Sequence, residues 1–286
     1  MNTSNHQKLP ASLAIDSLGD DLKIALDAAA DIGFSGIAVG ATHPQLANPD
    51  FGQTARRHLI KFLTSRNLQL SAIRTGFGAA GLADSSRTDA LLRQACFAIQ
   101  LAHDCRASCT LIYLGEPPAP AANAAAANAT AAPTDARQFS AASQVLDEIL
   151  SLADKLGVMV SIGSGNITWL ARVAGRHQTK NLGVTLDSYR LIAGGGSPAT
   201  AAADLAGSIF AWVCADAIRS GAHTQAVLLG RGQVDIPEVC RTLEAQNFKG
   251  PVVVDTRGLP DPLAAARHAA SFLAPLITGT LGRGRR

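Results

Sequence analysis

The stretch VLDEILSLADKLGVMVSI, Val145 to Ile162, holds one helix, one stop and one strand. Val145, Leu146, Ile149 and Leu152 recur at helical spacing and draw a single apolar stripe. Gly157 follows, the residue type that ends a helix most readily because it enters the left-handed region without a Cβ penalty. Val158 to Ile162 is then a nearly continuous apolar run, as expected of a parallel strand covered on both faces.

The same unit recurs along the chain. Further strands are expected at Leu13 to Asp16, Gly36 to Val39, Gln69 to Arg74, Thr110 to Leu114, Gly183 to Asp187, Ile209 to Cys214 and Val252 to Asp255. Helical stripes lie between them, among them Leu22, Ala25, Leu26, Ala29 and later Leu59, Ile60, Leu63. Pro237 and Pro262 stand in first helical turns, with Asp235 and Asp261 as their caps. Gly33, Gly157 and Gly175 are the expected helix stops.

Strand and helix alternating eight times allow a closed barrel or an open doubly wound sheet. The open sheet would carry a glycine-rich phosphate turn after its first strand, and after Asp16 the chain reads Ser17-Leu18-Gly19-Asp20 instead. The expected fold is therefore an α/β (β/α)8 TIM barrel in one domain, residues 11–277. Residues 1–10 are expected as a disordered leading segment and 278–286 as a basic tail. The Ala-, Pro- and Asn-rich segment 116–136 is expected to be a low-complexity loop.

Composition narrows the partners. The 286 residues are 47% hydrophobic with a formal charge of +3, too little positive charge to imply nucleic acid. No apolar run reaches the roughly 18 residues of a membrane span, and Met1 to Pro10 lacks an apolar signal core, so a cytoplasmic protein is expected. The five cysteines include no C-x-x-C pair and are expected as small buried hydrophobes. No G-x-S-x-G elbow, P-loop or zinc-protease helix is present, which removes the common hydrolase and kinase readings.

In such a barrel the chemistry gathers at the C-terminal ends of the strands. Polar residues there are Asp16, Arg74, Asp187, Arg190, Asp216, Asp255 and Arg257, and Arg231 lies in the Gly230-Arg231-Gly232 loop after the seventh strand. Asp187 and Asp255 end buried strands and are the candidate catalytic bases. Arg74, Arg190, Asp216, Arg231 and Arg257 are the candidate substrate-binding residues, since guanidiniums hold a phosphate or carboxylate by paired contacts. The competing account of the same charges is a set of ion pairs that closes the top of the barrel. His43 and His223 fall in loops after strands and within reach of the mouth; His58, His103, His177 and His268 are expected on the surface.

Four segments in register carry a resemblance: Asp31-Ile32-Gly33-Phe34-Ser35-Gly36-Ile37, Asn181 to Asp187, Leu229-Gly230-Arg231-Gly232-Gln233-Val234-Asp235, and Phe248-Lys249-Gly250-Pro251-Val252-Val253-Val254-Asp255. They are similar to the xylose-isomerase-like sugar phosphate isomerase/epimerase superfamily, from about Leu13 to Leu276. The resemblance implies a (β/α)8 barrel that commonly binds a divalent metal at the strand ends and moves a proton between neighbouring carbons of a sugar or keto acid. Position by position, the metal ligands are mostly replaced. The Glu of the second strand is Ala38, that of the fifth is Gly163, the His after Asp187 is Arg190, the His of the seventh strand is Val213, and the closing Glu is Asp255.

Two aspartates do not complete the ligand shell of a hard cation, which needs several converging oxygen or imidazole donors. The expectation is accordingly no cofactor, with arginines in the space a dication would fill; weak dependence on a divalent metal is the less supported alternative. The expected partner is a small anionic sugar or keto compound, handled by isomerisation or epimerisation with Asp187 or Asp255 as base. The alternative is a non-catalytic barrel that binds a ligand or protein partner, or a structural remnant. The residues leave the oligomeric state open.

Overall fold

Ten strands and nine helices are present among the described residues of the computed structural model, which are 9–77, 81–116, 132–177 and 179–277. In chain order they run β1 (Leu9–Ala14), α1 (Leu22–Ile32), β2 (Phe34–Gly40), α2 (Gln53–Ser65), β3 (Gln69–Arg74), α3 (Thr88–Asp104), β4 (Cys109–Tyr113) and α4 (Ala132–Leu156). Then follow β5 (Val160–Gly163), α5 (Ile167–Arg176), β6 (Leu182–Asp187), α6 (Ser188–Ala193), α7 (Pro198–Asp204), β7 (Ile209–Cys214), β8 (Asp216–Ser220), β9 (His223–Val227), α8 (Ile236–Ala245), β10 (Val252–Val254) and α9 (Pro262–Leu273). Eight parallel strands close in the order β1-β10-β7-β6-β5-β4-β3-β2, and β1 pairs with both β2 and β10. This is the expected (β/α)8 barrel.

Side-chain size separates its two apolar layers. Inside, Ala14, Ala38, Ala72, Ala211, Cys109, Leu111, Val213 and Val253 form one small cluster. Space there is short: a Cβ on Gly36 would lie 2.5 Å from the Ser71 hydroxyl and 2.7 Å from that of Ser12. Outside, larger residues such as Ile37, Val39, Ile73, Ile112 and Leu186 pack against the ring of helices. Interdigitation of this kind makes the barrel a packed core with a mouth, not a pore. Trp212, fully buried, ties the layers by donating its indole N–H to Ser188 Oγ at 2.9 Å.

The helix signals act where they stand. Asp235 and Asp261 accept the backbone N–H of Glu238 and Ala264, and Gly33 closes α1 in the left-handed region at φ 102°. Gly175, however, lies within the last turn of α5, which runs on to Arg176. The barrel also begins earlier than expected. Leu9 and Pro10 belong to β1, because the pairing of Leu9 with Phe34 on β2 offers the backbone a partner that a loose segment lacks. Helix α4 starts at Ala132, so 132–136 are helical rather than loop, alanine's helix preference outweighing Pro133 near the first turn. The remainder of the expected loop, 117–131, lies outside the described residues, as do 1–8 and 278–286.

One element went unread. β8 and β9 form an antiparallel ribbon after β7, in register from Asp216 against Val227 to Ser220 against His223. Its exposed, mixed composition hid the alternation, and it carries His223 out on an exposed strand. The cysteines are free; four are buried and Cys96 is half-buried, with burial pushing the Cys109 thiol up to about 12.

Gly183 gives the layer packing a direct test, since a Cβ there would lie 2.1 Å from the Phe210 ring. Gly183→Ala should cost about 1–3 kcal/mol by overpacking and lower Tm by roughly 3–10 °C. Gly52→Ala, where a Cβ meets nothing within 4 Å at φ −76°, should leave Tm essentially unchanged in the same scan. Equal melting of the two variants would refute the tight contact.

Candidate active site

A cavity of about 190 Å³ opens among the C-terminal ends of the strands. Asp16, Arg74, Asp187, Arg190 and Arg257 line it, together with Thr42, Thr75, Phe77, Tyr113, Gly163 and Thr185. A hollow of similar size, about 180 Å³, lies at the opposite end among Met159, Phe210, Phe248 and Lys249. It has one titratable side chain and no carboxylate, whereas the mouth has both signs of charge, which makes the mouth the candidate site.

Arg74, at the end of β3, stands between two carboxylates. Its guanidinium donates to Asp255 Oδ2 at 2.9 Å and to Asp16 Oδ2 on the other side. Asp16 in turn accepts the Gly40 backbone N–H at 2.7 Å, which fixes the turn after β1 to the end of β2. Asp255 also receives Arg257, whose Nε lies 2.8 Å and 3.0 Å from its two oxygens and whose backbone N–H adds a further bond at 3.1 Å. Asp255 is thus covered by two guanidiniums at 7% side-chain exposure. Although burial opposes its charge most strongly, the Arg74 and Arg257 guanidiniums prevail and hold its carboxyl below the usual range.

Asp187 is held more loosely. It ends β6 and caps α6, accepting the Arg190 N–H at 3.0 Å, while the Arg190 guanidinium comes no closer than 3.4 Å. Burial pushes its pKa up, and Arg190, nearest of the opposing charges, offsets this only in part. Two carboxylates at one mouth are therefore driven apart in acidity, the pattern by which environments assign a proton-moving group and an ionised partner.

The other sequence candidates stand apart from the cavity. Asp216 is buried at 1% exposure and accepts four backbone N–H groups, from Ala217, Gly230, Gly232 and Val234, at 2.8–3.1 Å. Those bonds make it the organiser of the loop between β9 and α8. Arg231, in that same loop, is exposed and does not line the mouth. His43 is buried, with Nδ1 accepting the Gln45 N–H at 3.3 Å, and is not among the lining residues. Of the histidines expected on the surface, His177 is 4% exposed in its side chain against Asp147, and His268 bonds the Leu229 carbonyl. Strand-end position alone could have found Tyr113 and Thr185, which a search restricted to charged residues passes over.

Few donors face the space where the resemblance implies a divalent cation. Ala38 lies in the small-residue cluster, Gly163 offers no side chain, and both Asp255 oxygens already accept guanidinium or backbone donors. Among the described residues no three His, Cys, Asp or Glu side chains converge.

Separate roles for the two aspartates give separate stabilities. Asp255→Asn should cost about 3 kcal/mol at neutral pH, because it leaves buried guanidiniums without their counter-charge. With a folded pKa below the ordinary carboxylate value, Asp255 contributes stability that is full above that value and is lost as pH falls through the depressed one. Urea titrations should accordingly show the deficit at pH 7 and a shrinking gap toward pH 3. Asp187→Asn, which relieves a buried charge, should cost less than 1 kcal/mol at pH 7; the reverse ranking would contradict this assignment.

Comparison with known proteins agrees with this architecture. A family model described as "Xylose isomerase-like TIM barrel" matches residues 26–276. A xylose isomerase domain protein from Planctomyces limnophilus superposes with a TM-score of 0.75 at 18% identity, covering 95% of this chain and 97% of its own. A Mycobacterium smegmatis xylose isomerase-like barrel solved in complex with magnesium gives 0.73 at 15% identity, covering 96% and 98%. The 3-keto-D-glucoside 4-epimerase of E. coli gives 0.70 at 13% identity, covering 93% and 98%. No curated protein matches in sequence. With the closed barrel, the strand-end cavity and a family match over residues 26–276, this chain belongs to the xylose isomerase-like TIM barrel family.

Proposed function

We propose that the mouth binds a small anionic sugar or keto compound without a divalent cation, and that Asp187 moves a proton on it. The observation that carries this reading is the charge arrangement: three guanidiniums and three carboxylates meet at the strand ends, and Asp187 alone is held by one loose guanidinium contact. Arg74 is saturated by its two carboxylates at 12% exposure, so it is a pillar of the site. Arg257, with 55% of its side chain exposed, and Arg190, with 31%, are the paired guanidiniums that keep surface open to an anion.

In the proposed reaction Asp187 takes the proton from the carbon beside a carbonyl. The electron pair of the broken C–H bond moves into a C=C bond as the carbonyl oxygen takes up negative charge. An always-charged guanidinium stabilises that enediolate without exchanging a proton itself. Return of the proton to the neighbouring carbon isomerises the substrate, and return to the other face epimerises it. A raised carboxyl is the stronger base for this step. Neighbours described as a 3-keto-D-glucoside 4-epimerase and a D-tagatose 3-epimerase-like protein support a sugar or keto compound, and the anionic character is inferred from the guanidiniums alone. A protein acting on such a compound is expected in the cytoplasm.

A second reading has its own support. Every guanidinium at the mouth already faces a carboxylate, which suits a barrel that binds a ligand without turnover.

Inorganic phosphate and sugar phosphates, tested by thermal shift in excess chelator, should raise Tm, and magnesium or manganese alone should not. Candidate sugars and keto acids incubated in heavy water should exchange the hydrogen beside the carbonyl. Asp187→Asn should slow that exchange about a hundredfold or more while phosphate affinity stays within a few fold. Phosphate binding with no exchange on any candidate would favour the non-catalytic barrel, and Tm shifts produced only by divalent ions would defeat both readings.

A further inference from the structure

The proposed site needs Arg190 beside Asp187, and neither residue's own contacts fix the guanidinium. Arg190 is a long, flexible side chain, its approach to Asp187 is 3.4 Å, and its side chain is 31% exposed. What lies beneath it is Tyr113, at the end of β4: the Arg190 guanidinium carbon sits 3.4 Å from the centroid of that ring. A guanidinium over an aromatic face is attracted by the ring quadrupole, which favours that position over others the flexible side chain can reach.

The ring is itself braced. Tyr113 Oη donates to Glu116 Oε1 at 2.8 Å, and the same oxygen accepts the Gly165 backbone N–H at 2.6 Å. The second carboxylate oxygen of Glu116 accepts Ser164 Oγ at 3.1 Å, a hydroxyl that also faces the Gly115 carbonyl at 3.1 Å. Glu116 therefore clamps the end of β4 to the loop before α5. That loop is pressed against α6 in turn. A Cβ on Gly165 would lie 2.5 Å from the Arg190 carbonyl oxygen and 2.9 Å from Glu116, and one on Gly194 would lie 2.4 Å from the Gly165 carbonyl oxygen. The end of β4, the loop before α5 and the backbone of α6 thus pack together around Arg190, and the absent Cβ atoms of two glycines let them do so.

We infer that Tyr113, braced by Glu116, is a positioning residue that holds the Arg190 guanidinium over the mouth cavity beside Asp187. The inference rests on the reading of Arg190 as an anion-binding group, and it extends the site to a carboxylate outside the cavity lining. Tyr113 and Glu116 touch no reacting atom; they act through Arg190. Supporting residues of this kind fix the geometry that a flexible side chain leaves loose.

The test reads Arg190 directly. In the full-length protein with labelled arginine, the Arg190 side-chain resonances, assigned by their loss in Arg190→Lys, should be displaced upfield by the ring current of Tyr113. Tyr113→Phe should keep most of that displacement, because the ring remains. Tyr113→Leu should abolish it, and Glu116→Ala, at an exposed position, should reduce it. The affinity for inorganic phosphate should fall about three- to tenfold in Tyr113→Leu. It should fall no further in Tyr113→Leu/Arg190→Ala than in Arg190→Ala alone, since residues acting through one group are not additive. Absence of the upfield displacement in the unaltered protein, or phosphate losses that simply add, would overturn the inference. Should Tyr113→Leu fail to fold, unchanged Arg190 resonances in Glu116→Ala would overturn it as well. Failure of the unaltered protein to bind phosphate would defeat the anion reading, and the resonances would still decide whether Tyr113 holds Arg190.

Discussion

Arg74 between Asp16 and Asp255 is the contact on which the mouth depends. It joins residues 16, 74 and 255, and so ties the ends of the chain to its first third across the top of the barrel. Three charges of this kind, taken out of water, are tolerable only because each finds its opposite and its hydrogen bonds together. Arg257 completes the arrangement on Asp255. With that corner paired, the more loosely held carboxylate lies on the other side, where the nearest guanidinium to Asp187 is that of Arg190 at 3.4 Å.

The barrel explains why these residues meet. Parallel strands present their C-terminal ends to one space, and small side chains in the interior let the strands close tightly below it. Capping makes the same end polar. Asp187 finishes β6 and begins α6 in one residue, so the carboxylate at the cavity is also a helix cap, its orientation set by the Arg190 backbone N–H. Asp216 shows the other use of a carboxylate at a strand end. Four backbone donors consume it, and it shapes a loop without reaching the cavity.

Most of the fold was legible in the sequence because strand and helix periodicities differ and both are carried by apolar residues. β3 and β7 match their expected bounds residue for residue, the other barrel strands overlap theirs, and β1 is displaced, at Leu9–Ala14 against the expected Leu13 to Asp16. The β8–β9 ribbon was not legible, since a short exposed hairpin has neither a buried face nor a continuous apolar run. The site was legible in part. Strand-end logic brought Arg74, Asp187, Arg190, Asp255 and Arg257 into one place, and these five do cluster. It could not foresee that Asp216 would be spent on amides, because burial of a carboxylate by a loop depends on backbone directions that residue types do not encode. Glu116 was hidden differently: it stands at the edge of an Ala- and Pro-rich segment, and apart from Tyr113 its partners are 48 and 49 residues away.

In the proposed reading, the guanidiniums of Arg74, Arg190 and Arg257 hold the mouth without a divalent cation. Elemental analysis of the protein purified without chelator and dialysed against metal-free buffer tests this most directly. The account predicts magnesium, manganese, iron, cobalt and zinc all far below one equivalent per chain. A retained stoichiometric divalent ion, released on Asp187→Asn or Asp255→Asn, would contradict it.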